Sequence, residues 1–276
     1  MVDEVVQIVE PELLLSFSSS LKLLVLSADP EQNLPTIHRD DFKEKGYYRS
    51  LFNRLLISQH CFTLSNQYRA DPSLLLWTNK KTYNGKITSP IVAGLDVPWR
   101  KELLWEYITF LNLHESEEEQ DEFGNKTNTY EANIVKLITD EFFNEHKKYC
   151  VNIKLKYGVI TPYQKQVVIL KKKLQQHINE GFVSVRTLDE CQGDEFEVVV
   201  FSTVRTNRKF MELLQDKNKI NVALTRAKCS LLIIGNESAL KGCSYWHELI
   251  EYLKKNNNFR EVNQIPFLKA HGERAQ

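Results

Sequence analysis

Residues 197–203 read EVVVFST, and residues 230–235 read SLLIIG. Both are apolar runs of strand length, the first rich in β-branched side chains. A strand solvated on one face alternates apolar and polar residues, whereas a continuous apolar run is buried on both faces. Such strands belong to parallel sheets covered by helices. Working outward, residues 157–161 (stopped by Pro162) and 183–187 predict two more strands, and residues 21–26 a further one. Between them, residues 130–149 place Ile134, Leu137, Ile138 and Phe142 at helical spacing. Residues 163–178 do the same with Val167, Leu170 and Leu174, and residues 246–253 form a short amphipathic helix. The expected fold is α/β, a mostly parallel sheet with helices on both faces. Ligands of such sheets gather at the carboxyl ends of the strands. The acidic run 115–122 (ESEEEQDE) reads as a solvated loop, and residues 263–276 as a flexible tail.

With 276 residues, 42% of them hydrophobic, the chain has enough apolar material for one large or two small domains. Its 36 basic and 36 acidic side chains cancel. That excludes a protein that wraps nucleic acid by charge over its whole surface and confines any such contact to a groove. The cysteines are Cys61, Cys150, Cys191, Cys229 and Cys243, an odd count with no C-x-x-C pair. They argue against a zinc site or a disulfide framework and for the reducing cytoplasm or nucleus. The first residues lack the basic and apolar regions of a signal peptide. No apolar run approaches the ~20 residues that span a bilayer, so no membrane partner is expected.

The chemistry sits in an ordered series of short motifs. Val2-Asp3-Glu4 opens it, with Gln7 following. A segment ending Ala28-Asp29-Pro30-Glu31-Gln32-Asn33-Leu34-Pro35 comes next, then Ser50-Leu51-Phe52-Asn53-Arg54-Leu55 and Gln67-Tyr68-Arg69. Further on stand Ile160-Thr161-Pro162-Tyr163, Thr187-Leu188-Asp189-Glu190-Cys191-Gln192-Gly193-Asp194-Glu195, Ser202-Thr203-Val204-Arg205-Thr206-Asn207 and Asn221-Val222-Ala223-Leu224-Thr225-Arg226. Together, over about residues 1–260, they resemble the superfamily 1 helicases of the up-frameshift, senataxin and immunoglobulin mu-binding group. The chain departs from that pattern at Ala28 (usually glycine), Val5-Val6, Ala70-Asp71, Cys191 and Lys219.

The resemblance implies a RecA-like P-loop NTPase fold. Residues 1–56 would be the end of a first such domain, carrying the Walker B element. Residues 57–262 would be a second domain, and 263–276 a tail. It implies ATP and Mg²⁺ as cofactors and single-stranded RNA or DNA as partner, with RNA favoured, alongside possible protein partners in RNA processing or surveillance. Phosphoryl transfer asks a protein mainly for positioning and positive charge. Arg69 and Arg226 are accordingly implied to reach the γ-phosphate, since a guanidinium fork meets phosphate oxygens in two places. Asp3 would hold Mg²⁺ through water, Glu4 would polarise the attacking water, and Gln32 would sense the γ-phosphate. Tyr68, Gln192, Gly193 and Glu195 would line the nucleotide. Thr161, Pro162, Thr187 and Arg205 would meet the nucleic-acid backbone, where hydroxyls and N–H groups hold phosphate without reading sequence. Lys171–Lys173 fit a solvated helix face. No G-x-x-x-x-G-K-[ST] occurs in the 276 residues. The expectation is therefore a motor core lacking its P-loop, or else a non-catalytic module that binds RNA or protein or completes an ATP site in trans.

Overall fold

The computed structural model describes residues 1–35, 40–58, 61–90, 106–149, 155–208 and 211–269. It divides into two compact units, Met1–Ser65 and Asn66–Gln276. The expected boundary after residue 56 falls within the first unit.

Among its described residues the first unit has three short α-helices, α1 (Glu10–Leu14), α2 (Asp40–Glu44) and α3 (Leu51–Leu55), and a 3-10 turn at Val5–Gln7. Ser50 caps α3 by accepting the Asn53 amide at 3.2 Å. Arg54 binds α3 to α1 by a two-pronged pair with Glu10, at 2.9 and 2.6 Å. Val5, Leu13 and Leu51 form the buried core, with Val2, Leu24 and Leu26 packed against it. The strand expected at residues 21–26 does not form. Leu26 makes one parallel bridge to Val2, and Leu21, Leu23 and Val25 lie exposed. The segment is extended and buries one face only. With one rung it has no ladder to be a strand.

The second unit follows the sequence closely. Its elements are α4 (Pro72–Thr82), β1 (Ile108–Asn112), β2 (Glu119–Gln120), β3 (Lys126–Thr127), α5 (Thr129–Tyr149), β4 (Tyr157–Thr161), α6 (Gln164–Lys173), α7 (Gln175–Asn179) and β5 (Val183–Thr187). After these come β6 (Phe196–Ser202), α8 (Glu212–Gln215), α9 (Lys217–Leu224), β7 (Ala227–Gly235), α10 (Glu237–Leu240), α11 (Ser244–Lys255) and β8 (Phe259–Glu261). Six strands form one sheet in the order β5-β4-β6-β7-β1-β8, every pairing parallel. The central strands are buried throughout or nearly so, while the edge strands β5 and β8 are half-open. That is why the two runs at 197–203 and 230–235 carry no polar alternation.

Strand periodicity sorts the core into two layers. Val198, Val200, Leu232 and Ile234 face α5 and α6, with Ile134, Ile138 and Leu170 opposite. Val199, Phe201, Leu231 and Ile233 face α4, α9 and α11, with Leu74, Ile220, Trp246 and Leu249 opposite. The fold is thus an α/β sheet covered on both faces, as expected, and its sheet is wholly parallel.

Three expectations are corrected. The acidic run is no free loop, because residues 119–120 pair with 126–127 in a hairpin and the Glu118 side chain is only 11% exposed. The helix expected at 163–178 divides at Leu174 into α6 and α7. The expected tail begins packed, with Ile265 and Leu268 fully buried, and residues 270–276 lie outside the described residues. No helix among the described residues is long and apolar enough to cross a membrane.

Candidate functional site

Because every strand of the sheet points the same way, its two edges are chemically distinct. The arginines gather at the amino edge, opposite to where the carboxyl-end rule directs attention. Glu195 immediately precedes β6 and Arg226 immediately precedes β7, with Phe196 and Ala227 paired in register. Gln67 folds the preceding turn over the start of α4. Its Oε1 accepts the amides of Arg69 and Ala70 at 3.0 and 2.9 Å, and its Nε2 donates to the Ala70 carbonyl at 2.7 Å. Asp71 caps α4 through the Ser73 amide and donates its own amide to the Lys228 carbonyl at 2.9 Å. Arg69 is thereby brought to Glu195, with Nε 2.6 Å from Oε1. Lys228 approaches the other oxygen at 3.1 Å. Partial burial works against the Glu195 charge, yet the hydrogen bonds from Arg69 and Lys228 hold its carboxyl below the usual range. Tyr68 is 65% exposed beside them, free of the core and able to take a flat partner.

Arg226 behaves differently. It is 1% exposed, and its guanidinium donates to the Val222 carbonyl (3.0 Å), the Thr225 hydroxyl (3.0 Å) and the Asp194 carbonyl (3.4 Å). A cation at the C-terminal end of α9 meets the negative end of the helix dipole. To meet a phosphate it must exchange these neutral acceptors for an anionic one. Gly193, at φ +83°, sits in the turn before Glu195, where left-handed backbone favours glycine. Gln192 is half-buried in the same turn. Beside this edge lies a concavity of about 780 Å³ lined by Lys156, Arg186, Gly193, Glu195 and Lys228. Asp194 and Glu197 line it too, so its three cations face three carboxylates, with Arg186 paired to Asp194 and Lys228 to Glu195 and Glu197.

At the carboxyl edge, Thr161 ends β4, Thr187 ends β5 and Thr203 follows β6. The hydroxyls of Thr161 and Thr203 are buried and have no partner among the described residues. Pro162 is buried beside them. Thr187 is engaged locally, its hydroxyl accepting the Glu190 amide at 3.2 Å while Glu190 accepts the Thr187 amide at 3.0 Å. Arg205 is turned inward. It is 3% exposed, and its Nε donates to Glu118 Oε2 at 2.8 Å. The same oxygen accepts the amides of Thr206 and Asn207 at 2.9 and 3.1 Å. Burial opposes the charge on Glu118, but these donors hold its carboxyl below the usual range. Arg205, expected to meet the nucleic-acid backbone, is in this geometry buried and paired with Glu118.

In the first unit Asp3 is exposed and accepts the Glu4 amide at 3.0 Å. Gln32 donates to Asp29 at 2.9 Å within an Asp29–Gln32 turn. Among the described residues no group of three or more His, Cys, Asp or Glu side chains forms a metal cage. The donors present suit Mg²⁺, which favours one or two carboxylates with water and substrate phosphate.

The backbone marks the same motifs. The described non-glycine residues with positive φ are Glu4 (52°), Asn84, Val204 (70°) and Asn257. Asparagine tolerates that region, whereas a β-branched residue there costs of order 1–3 kcal/mol. Around Val204 the sequence reading missed Asn128, Glu131 and Glu118. The available signal was Asn128-x-x-Glu131 ahead of a helical run, a capping-box spacing. Lys228 was also missed, a lone cation at the head of an apolar strand.

The sequence profile described as AAA domain matches residues 47–238, more than half of the chain. The chain is 30% identical over 272 residues to "Probable helicase MAGATAMA 3" of Arabidopsis thaliana, covering 95% of this chain and 33% of that protein. It is 30% identical to "Regulator of nonsense transcripts 1" of Dictyostelium discoideum, covering 93% and 20%, and 30% identical to "Helicase sen1" of Schizosaccharomyces pombe, covering 91% and 15%. It spans a third or less of the length of these relatives.

Proposed function

Since the chain belongs to the superfamily 1 helicases of the up-frameshift and senataxin type, through their AAA domain, we propose that it is motor machinery of an ATP-dependent RNA helicase or translocase. One observation carries this reading. Motifs far apart in sequence bring Arg69, Glu195, Arg226 and Lys228 to one edge of a single sheet, beside an opening lined by paired cations and carboxylates. On this reading Arg69 and Arg226 stabilise charge on the γ-phosphate, Glu195 holds Arg69 in place until nucleotide arrives, and Tyr68 stacks near the base. Gln192 and Gly193 shape the turn that lets phosphate approach. In the first unit, Asp3 would hold Mg²⁺ through water, Glu4 would polarise the attacking water, and Gln32 would sense the γ-phosphate. Mg²⁺, when bound, neutralises phosphate charge. The carboxyl edge, with Thr161, Pro162 and Thr187, follows single-stranded RNA by its backbone, and Arg205 supports that edge from beneath. Such a protein works in the cytoplasm or nucleus, among RNA-processing partners.

A second reading has its own support. No P-loop motif stands in these residues, and Arg226 is satisfied internally. The chain would then bind RNA without turnover, or complete an ATP site whose P-loop lies outside these residues. RNA-stimulated ATP hydrolysis separates the two. Under the first reading the protein turns over ATP, and Arg226→Ala lowers the rate by about 10³-fold or more, the worth of an arginine finger. Turnover untouched by Arg226→Ala overturns that reading. RNA binding without turnover supports the second.

A further inference from the structure

The turn after β6 is unusual. The Arg205 amide donates to the Thr203 carbonyl at 2.8 Å, closing a three-residue γ-turn on Val204 at φ +70°. This is the rarer, strained form of the γ-turn, and a β-branched residue is poorly suited to it. Something must hold it, and the start of α5 does. Glu131, fully buried, accepts the Val204 amide on both carboxylate oxygens, at 3.1 and 2.9 Å. Asn128 donates its side-chain amide to the Val204 carbonyl at 3.1 Å. Both backbone groups of the strained residue are thus gripped from one helix terminus.

The sequence pattern here would ordinarily serve the helix alone. In a capping box the acid three residues on accepts the amide of the cap residue. Asn128 does cap α5, taking the Glu131 amide at 2.8 Å. The returning bond is missing, because Gln166 of α6 accepts the Asn128 amide instead, at 3.0 Å. Glu131 is thereby released from its local duty and turned onto Val204. A carboxylate needed only for stability would close its own box; this one is spent on a turn in another element.

We infer that Glu131, with Asn128, is a positioning residue for nucleic-acid engagement: it holds the Val204 γ-turn that delivers Thr203 and residues 205–208 to the carboxyl edge of the sheet. The inference rests on the reading of that edge as the nucleic-acid face. Downstream of the turn, Glu118 fastens Arg205, Thr206 and Asn207, and Arg208 reaches the Ser238 carbonyl at 2.7 Å. Without the clamp the turn relaxes toward negative φ, and the residues after it leave their places on that edge.

The test is the affinity of the full chain for a fluorescein-labelled oligouridylate, read by anisotropy, with thermal melting confirming that each variant is folded. Glu131→Leu fills the space but cannot accept the Val204 amide, and it should weaken binding by about tenfold. Glu131→Gln keeps an acceptor and should bind like the unsubstituted chain. Should Glu131→Leu not fold, Asn128→Asp serves, since aspartate still caps α5 but has no donor for the Val204 carbonyl. It too should lose about tenfold. Unchanged affinity in folded Glu131→Leu or Asn128→Asp overturns the inference alone. If the unsubstituted chain binds no oligouridylate, the reading of the edge fails first and the inference with it.

Discussion

Glu131 is fully buried, away from solvent. Burial raises its carboxyl to about 7, partly offset by the Ser202 hydroxyl and the amides of Val204 and Thr203. The nearby titratable group is the Tyr163 phenol, itself raised mainly by burial, with Arg205 and Glu118 beyond it. The folded carboxyl thus binds its proton more tightly than the unfolded one, whose value is near 4.5. Its contribution to stability is complete below about pH 4.5 and is lost as pH rises to about 7, an effect of about 3 kcal/mol. Urea unfolding followed across that window should show the decline in the unsubstituted chain and a flatter profile in Glu131→Gln. Equal slopes would mean that Glu131 is solvated. At the other edge Arg69→Ala leaves Glu195 with Lys228 alone, so the Glu195 carboxyl should titrate closer to its ordinary value, an upward shift visible by NMR. Motif order singled out Arg69 and Arg226, which the fold brings to one edge of the sheet. The inward turn of Arg205 was not legible, because nothing in Ser202–Asn207 announces that Glu118, far off in sequence, will meet it.

Among the elements, legibility tracked the length and regularity of the apolar pattern. Strands β4, β6 and β7 were readable because strands covered on both faces are continuously apolar, and the edge strand β5 by the alternation of Val183-Ser184-Val185-Arg186. Strand β1 escaped notice although it is fully buried, since Ile108–Asn112 is short and carries Thr109 and Asn112 within it. Helix α4 also escaped, despite the Asp71-Pro72 start signal that the structure uses. Residues 21–26 were apolar enough for a strand but lack a paired neighbour over most of their length. Close approach between elements is equally hidden from sequence. A Cβ on Gly235, the last residue of β7, would stand 2.1 Å from the Thr203 hydroxyl and 3.2 Å from Leu240. Gly235→Ala should therefore cost about 1–3 kcal/mol of stability and disturb the same carboxyl edge. A urea midpoint equal to that of the unsubstituted chain would contradict this packing.

On the scale of the molecule, the two units differ in what holds them. Met1–Ser65 rests on a core of Val5, Leu13 and Leu51, whereas Asn66–Gln276 has two apolar layers around its sheet. Local stability follows buried apolar contact. Amides of the first unit should exchange with solvent well before those of β6 and β7, as hydrogen-exchange mass spectrometry would show; uniform protection would refute it. The sequence by itself determined the α/β class, the central strands and the ordered motifs, because these depend on local periodicity and on residue types at short spacing. Only the tertiary structure decided that Arg69 and Arg226 share the amino edge, that Arg205 pairs with Glu118, and that Glu131 grips Val204. Those outcomes depend on which distant donor meets which acceptor once water is excluded, and no local pattern encodes that choice.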